Sequence, residues 1–513
     1  MLEKLNNQAS NNWMNTLLIS CSLLLLLVIS LSLKPNNLTR TKVISEVEMF
    51  RQLLYQHSSY LQLDTLRFDS LFTQFNERIE QQSYNDRHLL RNELDILLTN
   101  LGDRHASAYL DEEKKEQQYF LPFNIAPWKG QDVLALREQE PYTYSLLMED
   151  YPLLKEINGK SLKKWTRTLL CQQSSAPEYA KHSEVVEQLY DQIEDLMIYN
   201  QESLNENLVV TLTSLDHRKD TTLYLPLKQK GNNWQDRKGD WQENMMNLWD
   251  QNYALLFKWL PDKIAYLSIP QMVDRQEDTH YFQWLEQKMK DIQNSKALII
   301  DLRDNFGGTR DIIQFLSPYF IAQNISPWVA NVAQIRGNDS VTTDNKEMVT
   351  RGLYTYNSTF WDQRDRDAII RFEEHFQPAI RYDRTKFGQY YYMLLSKKNN
   401  PISYYYGKPV YLLINEKTFS AASIFASALR DLELVKLVGT QTDGSSGLSK
   451  KYKFKYSGVC VSFSHMLSFQ RNGTLFDGYG TSPDIKIERS IKQILGEEDY
   501  QLETLLAMIN CEI

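Results

Sequence analysis

Ala297-Leu298-Ile299-Ile300-Asp301-Leu302-Arg303-Asp304-Asn305-Phe306-Gly307-Gly308 decides how the chain is read. Its opening apolar run is short and bounded by polar residues, which reads as a buried strand. A turn follows at once and ends in two glycines, where backbone N–H groups can approach a bound carbonyl without Cβ interference. Working outward, residues 263–269 and 409–415 repeat the strand signature, and Ser420 to Leu429 reads as a helix just after the second of them. Strand followed by helix, repeated, predicts an α/β core on a largely parallel sheet.

At 513 residues the chain exceeds what one hydrophobic core usually serves, so two or three folded units with a terminal appendage are expected. Residues 34–119 carry apolar side chains at three- and four-residue spacing, as at Leu94, Leu97, Leu98 and Leu101, and predict a helical region. Gly102 is a plausible stop, with Asp103-Arg104-His105 in the turn beyond it. Residues 120–230 change to short strand-like runs at 132–136, 153–157 and 208–212, with a long, mostly helical insertion at 164–207. Asn158-Gly159 is a tight-turn signal, and Ile157-Asn158-Gly159 looks like a turn of PDZ modules. A PDZ-like β domain is the expectation, an unrelated small β domain its alternative. Residues 231–513 hold the α/β core, with 326–400 read as an aromatic and charged insertion, a candidate lid, whose conformation the sequence does not give.

No charged residue lies between Lys4 and Lys34, and residues 17–33 are almost wholly apolar. A membrane-crossing helix needs about 20 such residues. The expectation is a short tail at 1–12 and a transmembrane signal anchor or signal peptide at 13–33, against the plainer reading of a buried soluble helix. A net charge of −8 without a basic, aromatic-interleaved stripe argues against nucleic acid. The four cysteines are too few for a disulfide scaffold, and neither His-x-x-x-His nor Cys-x-x-Cys spacing occurs, so no metal and no cofactor are implied.

Ser420 would sit near a helix N-terminus, where N–H groups and the dipole favour negative charge; on that segment alone it could equally be an N-cap. The order of motifs carries more: Ile299 to Gly308, Leu413 to Asp431, Val438 to Thr440, Gly478 to Ile485, and Leu101-Gly102-Asp103-Arg104-His105 near the start. Together they resemble the C-terminal-processing (tail-specific) and tricorn-like serine peptidases. The resemblance implies a crotonase-like peptidase core acting on proteins or peptides by acyl transfer. It also implies a body outside the cytoplasm, in the periplasm or at the cell surface, or secreted if the N-terminal helix is cleaved. Carried over, Ser420 is the nucleophile, Ala421 donates one oxyanion N–H, and Gly307 or Gly308 donates the other.

The chain departs from the pattern at the base, because Ser445 stands where tail-processing members carry lysine. Lys450 and Lys451 lie beyond it and would need a shift in register. The tricorn-like branch takes its base from the N-terminal motif, which makes His105 the expected base, with Asp477 orienting it directly or through a neighbour. His465 is a weaker candidate, and Arg104 and Ser423 replace the usual serine and glutamate. Two readings compete with the peptidase: a catalytically inactive peptide- or ligand-binding member of the same fold, as among interphotoreceptor retinoid-binding relatives, and a membrane-tethered scaffold built on the PDZ-like part.

Overall fold

In the computed structural model the apolar runs lie side by side. It describes residues 38–512 apart from 64, 82–85, 112–117, 141–142, 163, 166–175, 230, 232, 235–239, 338–343 and 381–385. The expected tail at 1–12 and span at 13–33 fall outside the described residues; among those described, no helix is long and apolar enough to cross a membrane.

Strands Ile485–Lys486, Val435–Gly439, Val410–Ile414, Ala297–Asp301 and Ile264–Ser268 run parallel in that order, and Phe257–Leu260 closes the edge antiparallel. The three central strands, Ile264–Ser268, Ala297–Asp301 and Val410–Ile414, are buried at every position because both faces are covered. Leu298, Ile300, Leu412 and Ile414 face helices Thr279–Asp291, Asp311–Leu316 and Ser420–Leu429. Ile299, Tyr411, Leu413 and Val438 face the C-terminal helix Tyr500–Glu512 through Leu502, Leu505 and Ile509.

Arg303 ties that helix to the sheet. Its fully buried guanidinium meets Asp301 Oδ2 and Asp499 Oδ2, each at 2.7 Å, and Gln501 Oε1 at 3.1 Å.

The N-terminal helices Arg40–His57, Thr65–Gln81 and Arg87–Thr99 do not form a separate body. Phe50, Leu54, Leu94 and Leu98 share one core cluster with Val461, Phe463, Leu467 and Phe469 from the far end of the chain. Strand Ser107–Leu110 completes the join, antiparallel to Val459–Ser464 with Ser107 opposite Ser462.

The segment expected as an insertion, 326–400, is instead woven into the core. Strand Trp328–Ile335 is buried at every position and lies between Tyr391–Leu395 and Met466–Phe469, both antiparallel to it. Arg364, Asp365 and their neighbours extend this layer in helix Gln363–Glu373, opened by an Asp362/Asp365 capping box.

Residues 124–225 form a wholly antiparallel sheet of Asn124–Pro127, Val133–Glu140, Leu153–Ile157, Leu208–Thr213 and Asp220–Leu225, with short side strands at Thr143–Leu146 and Lys160–Ser161. Asn158 and Gly159 both have positive φ, 51° and 68°, as a two-residue hairpin turn of matching twist requires. Helices Glu178–Asp191 and Ile193–Tyr199 occupy the expected helical insertion and close one side of this sheet through Leu189, Tyr190 and Ile193.

Replacing Arg303 with alanine would strand two carboxylates against buried surface. The expected cost is about 3–5 kcal/mol, read as a lowered urea midpoint with near-native far-UV circular dichroism at zero denaturant.

Candidate active site

Parallel pairing of Ala297–Asp301 with Val410–Ile414 places the loops that follow both strands at one end of the sheet. Side chains then stitch the loops together. Asp304 N donates to Asn415 Oδ1 at 3.0 Å, and Asn415 Nδ2 returns a bond to Asp304 Oδ1 at 2.9 Å. Thr418 Oγ1 donates to Leu302 O at 2.9 Å, and Phe419 N donates to Asn305 O at 2.9 Å. Asn305 Nδ2 reaches Ile269 O at 2.7 Å. The polar letters of both motifs are therefore the seam between the loops.

Ser420 sits on this seam with φ at 51°, a conformation that costs a non-glycine residue about 1–3 kcal/mol and persists only where its surroundings enforce it. Phe419, not Ser420, occupies the N-cap of helix Ser420–Leu429. The serine hydroxyl is thus not used for capping, and it stands half-buried at a strand-to-helix turn.

Gly307 faces it closely: a Cβ there would lie 2.6 Å from Ser420 Cβ and 3.0 Å from Ala421 N. However, Gly307 N–H is already committed to Asn305 Oδ1 at 2.8 Å, so it is not the free donor of the pair. Gly308 packs against Met272, where a Cβ would fall 2.0 Å from the carbonyl oxygen, and its own N–H has no acceptor among the described residues. Ala421 N–H lies in the first helical turn, where no intrahelical acceptor exists. The structure therefore leaves Gly308 and Ala421 as the available N–H groups beside Ser420.

His105 arrives from the opposite end of the chain. Its ring stacks on Phe419, centroids 4.5 Å apart, with Nε2 against Gly447: a Cβ on that glycine would sit 2.9 Å away. The imidazole thus reaches the residue next to Ser420, but the two side chains make no direct hydrogen bond. His105 Nδ1 is buried and has no hydrogen-bond partner among the described residues. Burial, and then the Arg351 and Arg104 guanidiniums, push the ring down to about 3, so it stays neutral at ordinary pH.

Asp477 does not orient His105 directly. Its Oδ1 accepts from Tyr60 Oη at 3.0 Å and Ser446 N at 2.7 Å, and its Oδ2 from Ser446 Oγ at 2.9 Å and Ser468 N at 2.5 Å. With both oxygens filled, it holds the Ser446-Gly447 turn against which His105 Nε2 rests. Burial raises it to about 6 despite those four bonds.

The remaining candidates are occupied elsewhere. Lys450 pairs with Glu347 at 2.8 Å, and Lys451 lies over the Tyr109 ring. His465 Nε2 is 2.9 Å from Tyr452 Oη, and its ring stacks on His57. Ser445 is fully buried against Tyr60, whereas Ser423 Oγ donates to Asp443 O at 2.6 Å. Arg104, in the place of the usual serine, binds Asp443 Oδ2 through Nε at 2.8 Å. No local pattern signals Tyr60, Arg310 or Arg351, which come to the site from the 3-10 helix Tyr60–Leu63, the loop after the glycine pair and the supposed insertion.

Residues 263–487 match the model of peptidase family S41. The match covers less than half of the chain, which is similar to that peptidase family across its α/β core. His105 lies outside the matched residues and Ser420 inside them. A Chlamydia muridarum protein of uncharacterised function is 34% identical over 84 residues, 16% of this chain and 14% of its own length. A carboxy-terminal-processing protease of Bartonella bacilliformis is 30% identical over 86 residues, 17% of this chain and 20% of its own. The chain thus aligns with only a fifth or less of these curated relatives. Among solved structures, mature CPAF complexed with lactacystin superposes with a TM-score of 0.61 over 92% of this chain and 99% of that one, at 14% identity, which establishes a shared fold.

Burial also moves His465 down to about 3, helped by Lys450 and His57. When unfolded, His105 and His465 each take up a proton near pH 6.5, so below that value the unfolded state binds more protons and stability falls with pH. Asp477, raised to about 6, acts in the opposite sense below that pH. Urea midpoints should decline as pH drops from 7 to 5, and His465→Gln should flatten that slope; an unchanged slope would refute the assignment.

Proposed function

We propose that the protein is a serine peptidase that cleaves peptide bonds through an acyl-enzyme on Ser420, with His105 as general base. The observation that carries this reading is the strained Ser420 on a loop seam beside two unspent N–H groups, with an imidazole one residue away. Ser420 Oγ attacks the substrate carbonyl while the imidazole takes its proton. Gly308 and Ala421 N–H groups stabilise the oxyanion, the imidazolium returns its proton to the leaving amine as the C–N bond breaks, and water, deprotonated by the same ring, then hydrolyses the acyl ester and frees Ser420. Burial keeps the ring neutral but also weakens it as a base, so the reading requires rotation of the His105 side chain over Phe419 that brings Nε2 to the hydroxyl and relieves that burial. Asp477 contributes by fixing the Ser446-Gly447 turn.

Residues 120–230 are read as a PDZ-like module that takes a substrate's C-terminus by strand addition. The antiparallel sheet, its flanking helices and the Asn158-Gly159 hairpin support that reading. The body is assigned to the extracytoplasmic side, held there by the apolar segment at 13–33 or released by its cleavage; the support is the sequence of that segment.

The rival is an inactive peptide-binding protein. The observation favouring it is His105 Nδ1, buried with no acceptor to steady an imidazolium. A fluorophosphonate probe separates the two. Wild type should be labelled, Ser420→Ala should not, and His105→Ala should label at least about 100-fold more slowly, in line with removal of a general base. Lactacystin, present in the mature CPAF structure, is a suitable competitor. Labelling that is the same in wild type and Ser420→Ala would overturn the peptidase reading.

A further inference from the structure

Two guanidiniums beside the serine loop lie within electrostatic reach of Asp477, and Arg351 also of Glu347, yet neither is in direct contact with a carboxylate among the described residues. Arg310 follows the glycine pair and is 2% exposed. Its Nη1 donates to Asn331 Oδ1 at 3.1 Å and lies 3.9 Å from Met393 Sδ, while Nε and Nη2 have no partner among the described residues. Arg351 is largely covered, and its one hydrogen bond is long, from Nη1 to Ser446 O at 3.4 Å. Neither forms an ion pair with a carboxylate among the described residues. Glu347 near Arg351 is taken by Lys450, and the oxygens of Asp477 are filled by Tyr60, Ser446 and Ser468.

The two are held together by packing. The Arg351-Gly352 turn rests on the helix that begins just after Arg310, so tightly that a Cβ on Gly352 would meet Gln314 Nε2 at 2.4 Å. Burial, and then the charge of Arg351, push Arg310 down to about 9. Both also adjoin the reacting groups. Arg310 is two residues beyond Gly308, and Arg351 binds the carbonyl of Ser446, whose neighbour Gly447 abuts His105 Nε2.

A buried cation left without an anion is costly, and the planar guanidinium fork matches a carboxylate. We propose that Arg351 and Arg310 form a carboxylate-reading subsite next to the scissile bond, selecting peptides that place an acidic side chain or a free C-terminal carboxylate there. The proposal builds on the peptidase reading and names its substrate class. Arg351, the more accessible, contacts the carboxylate; Arg310 behind it supplies the second charge and its unspent Nη2–H.

The test uses full-length Ser420→Ala protein, so that binding is read apart from turnover. Fluorescein-labelled decapeptides of alternating alanine and leucine carry one glutamate, moved through each position, each with its glutamine twin and with a free or amidated C-terminus. Anisotropy should show one glutamate position, or the free terminus, bound at least about tenfold tighter than its neutral twin, the scale of a charge-assisted pair. Preference confined to an internal glutamate identifies the side chain as the source, and preference confined to the free terminus identifies the C-terminus. Arg351→Gln in the same background should bring the ratio below twofold, and Arg351→Lys should retain part of it. A merely structural arginine would alter all peptides alike. Arg310→Gln is the second variant, judged by the same ratio.

Twins that bind within twofold at every position, or no measurable binding of any peptide, would overturn the subsite. Labelling of wild-type Ser420 by the fluorophosphonate probe in that event would leave the peptidase reading standing, and absence of labelling would remove it separately.

Discussion

The reciprocal bond between Asp304 and Asn415 is the constraint on which the site depends. It joins loops from two strands that the sheet has already placed side by side, and Thr418 and Asn305 extend the seam in both directions. Ser420 can hold a left-handed backbone because the residue before it is anchored to Asn305 O. The glycine pair divides its work: Gly307 lets the two loops close without a Cβ between them, and Gly308 passes under the Met272 carbonyl with its N–H unspent. Positioning of Ser420 is thus a backbone property, enforced by amides, a hydroxyl and the Asp304 carboxylate.

A second constraint acts through the sheet. Alternate residues of each central strand go to opposite covers, and Arg303 couples the outer cover to the motif loop by way of Asp301 and Asp499. The C-terminal helix thereby bears on the serine loop without approaching it.

How much of this was legible follows from which forces the residues report. Apolar runs at 297–300 and 410–414 announced strands buried on both faces, and the strands are there with ends within a residue or so. Helix Ser420–Leu429 was readable from its small and apolar residues after a strand end. The segment 326–400 was not, because its strands are separated by polar turns and its burial comes from Met466–Phe469, a partner far along the chain. Motif position brought Gly307, Gly308, Ser420 and Ala421 to one place and His105 to its edge, since loop position follows from strand order. The direction of an atom does not. Which glycine N–H is spent, and that Asp477 turns toward Tyr60, Ser446 and Ser468 rather than toward the imidazole, depends on donors that no local pattern reveals.

The pairing of Ser107–Leu110 with Val459–Ser464 carries a consequence in time. A ribosome delivers the histidine early and its docking strand late, so the imidazole has no seat until most of the chain has emerged. Loop closure over so long a separation is slow compared with forming local helices. The seam that holds Ser420, between 304 and 415, can also close only in the second half of synthesis. A nascent or truncated chain therefore holds the parts of the site unassembled, and His105 meets the Ser420 loop only once both ends of the fold have been made.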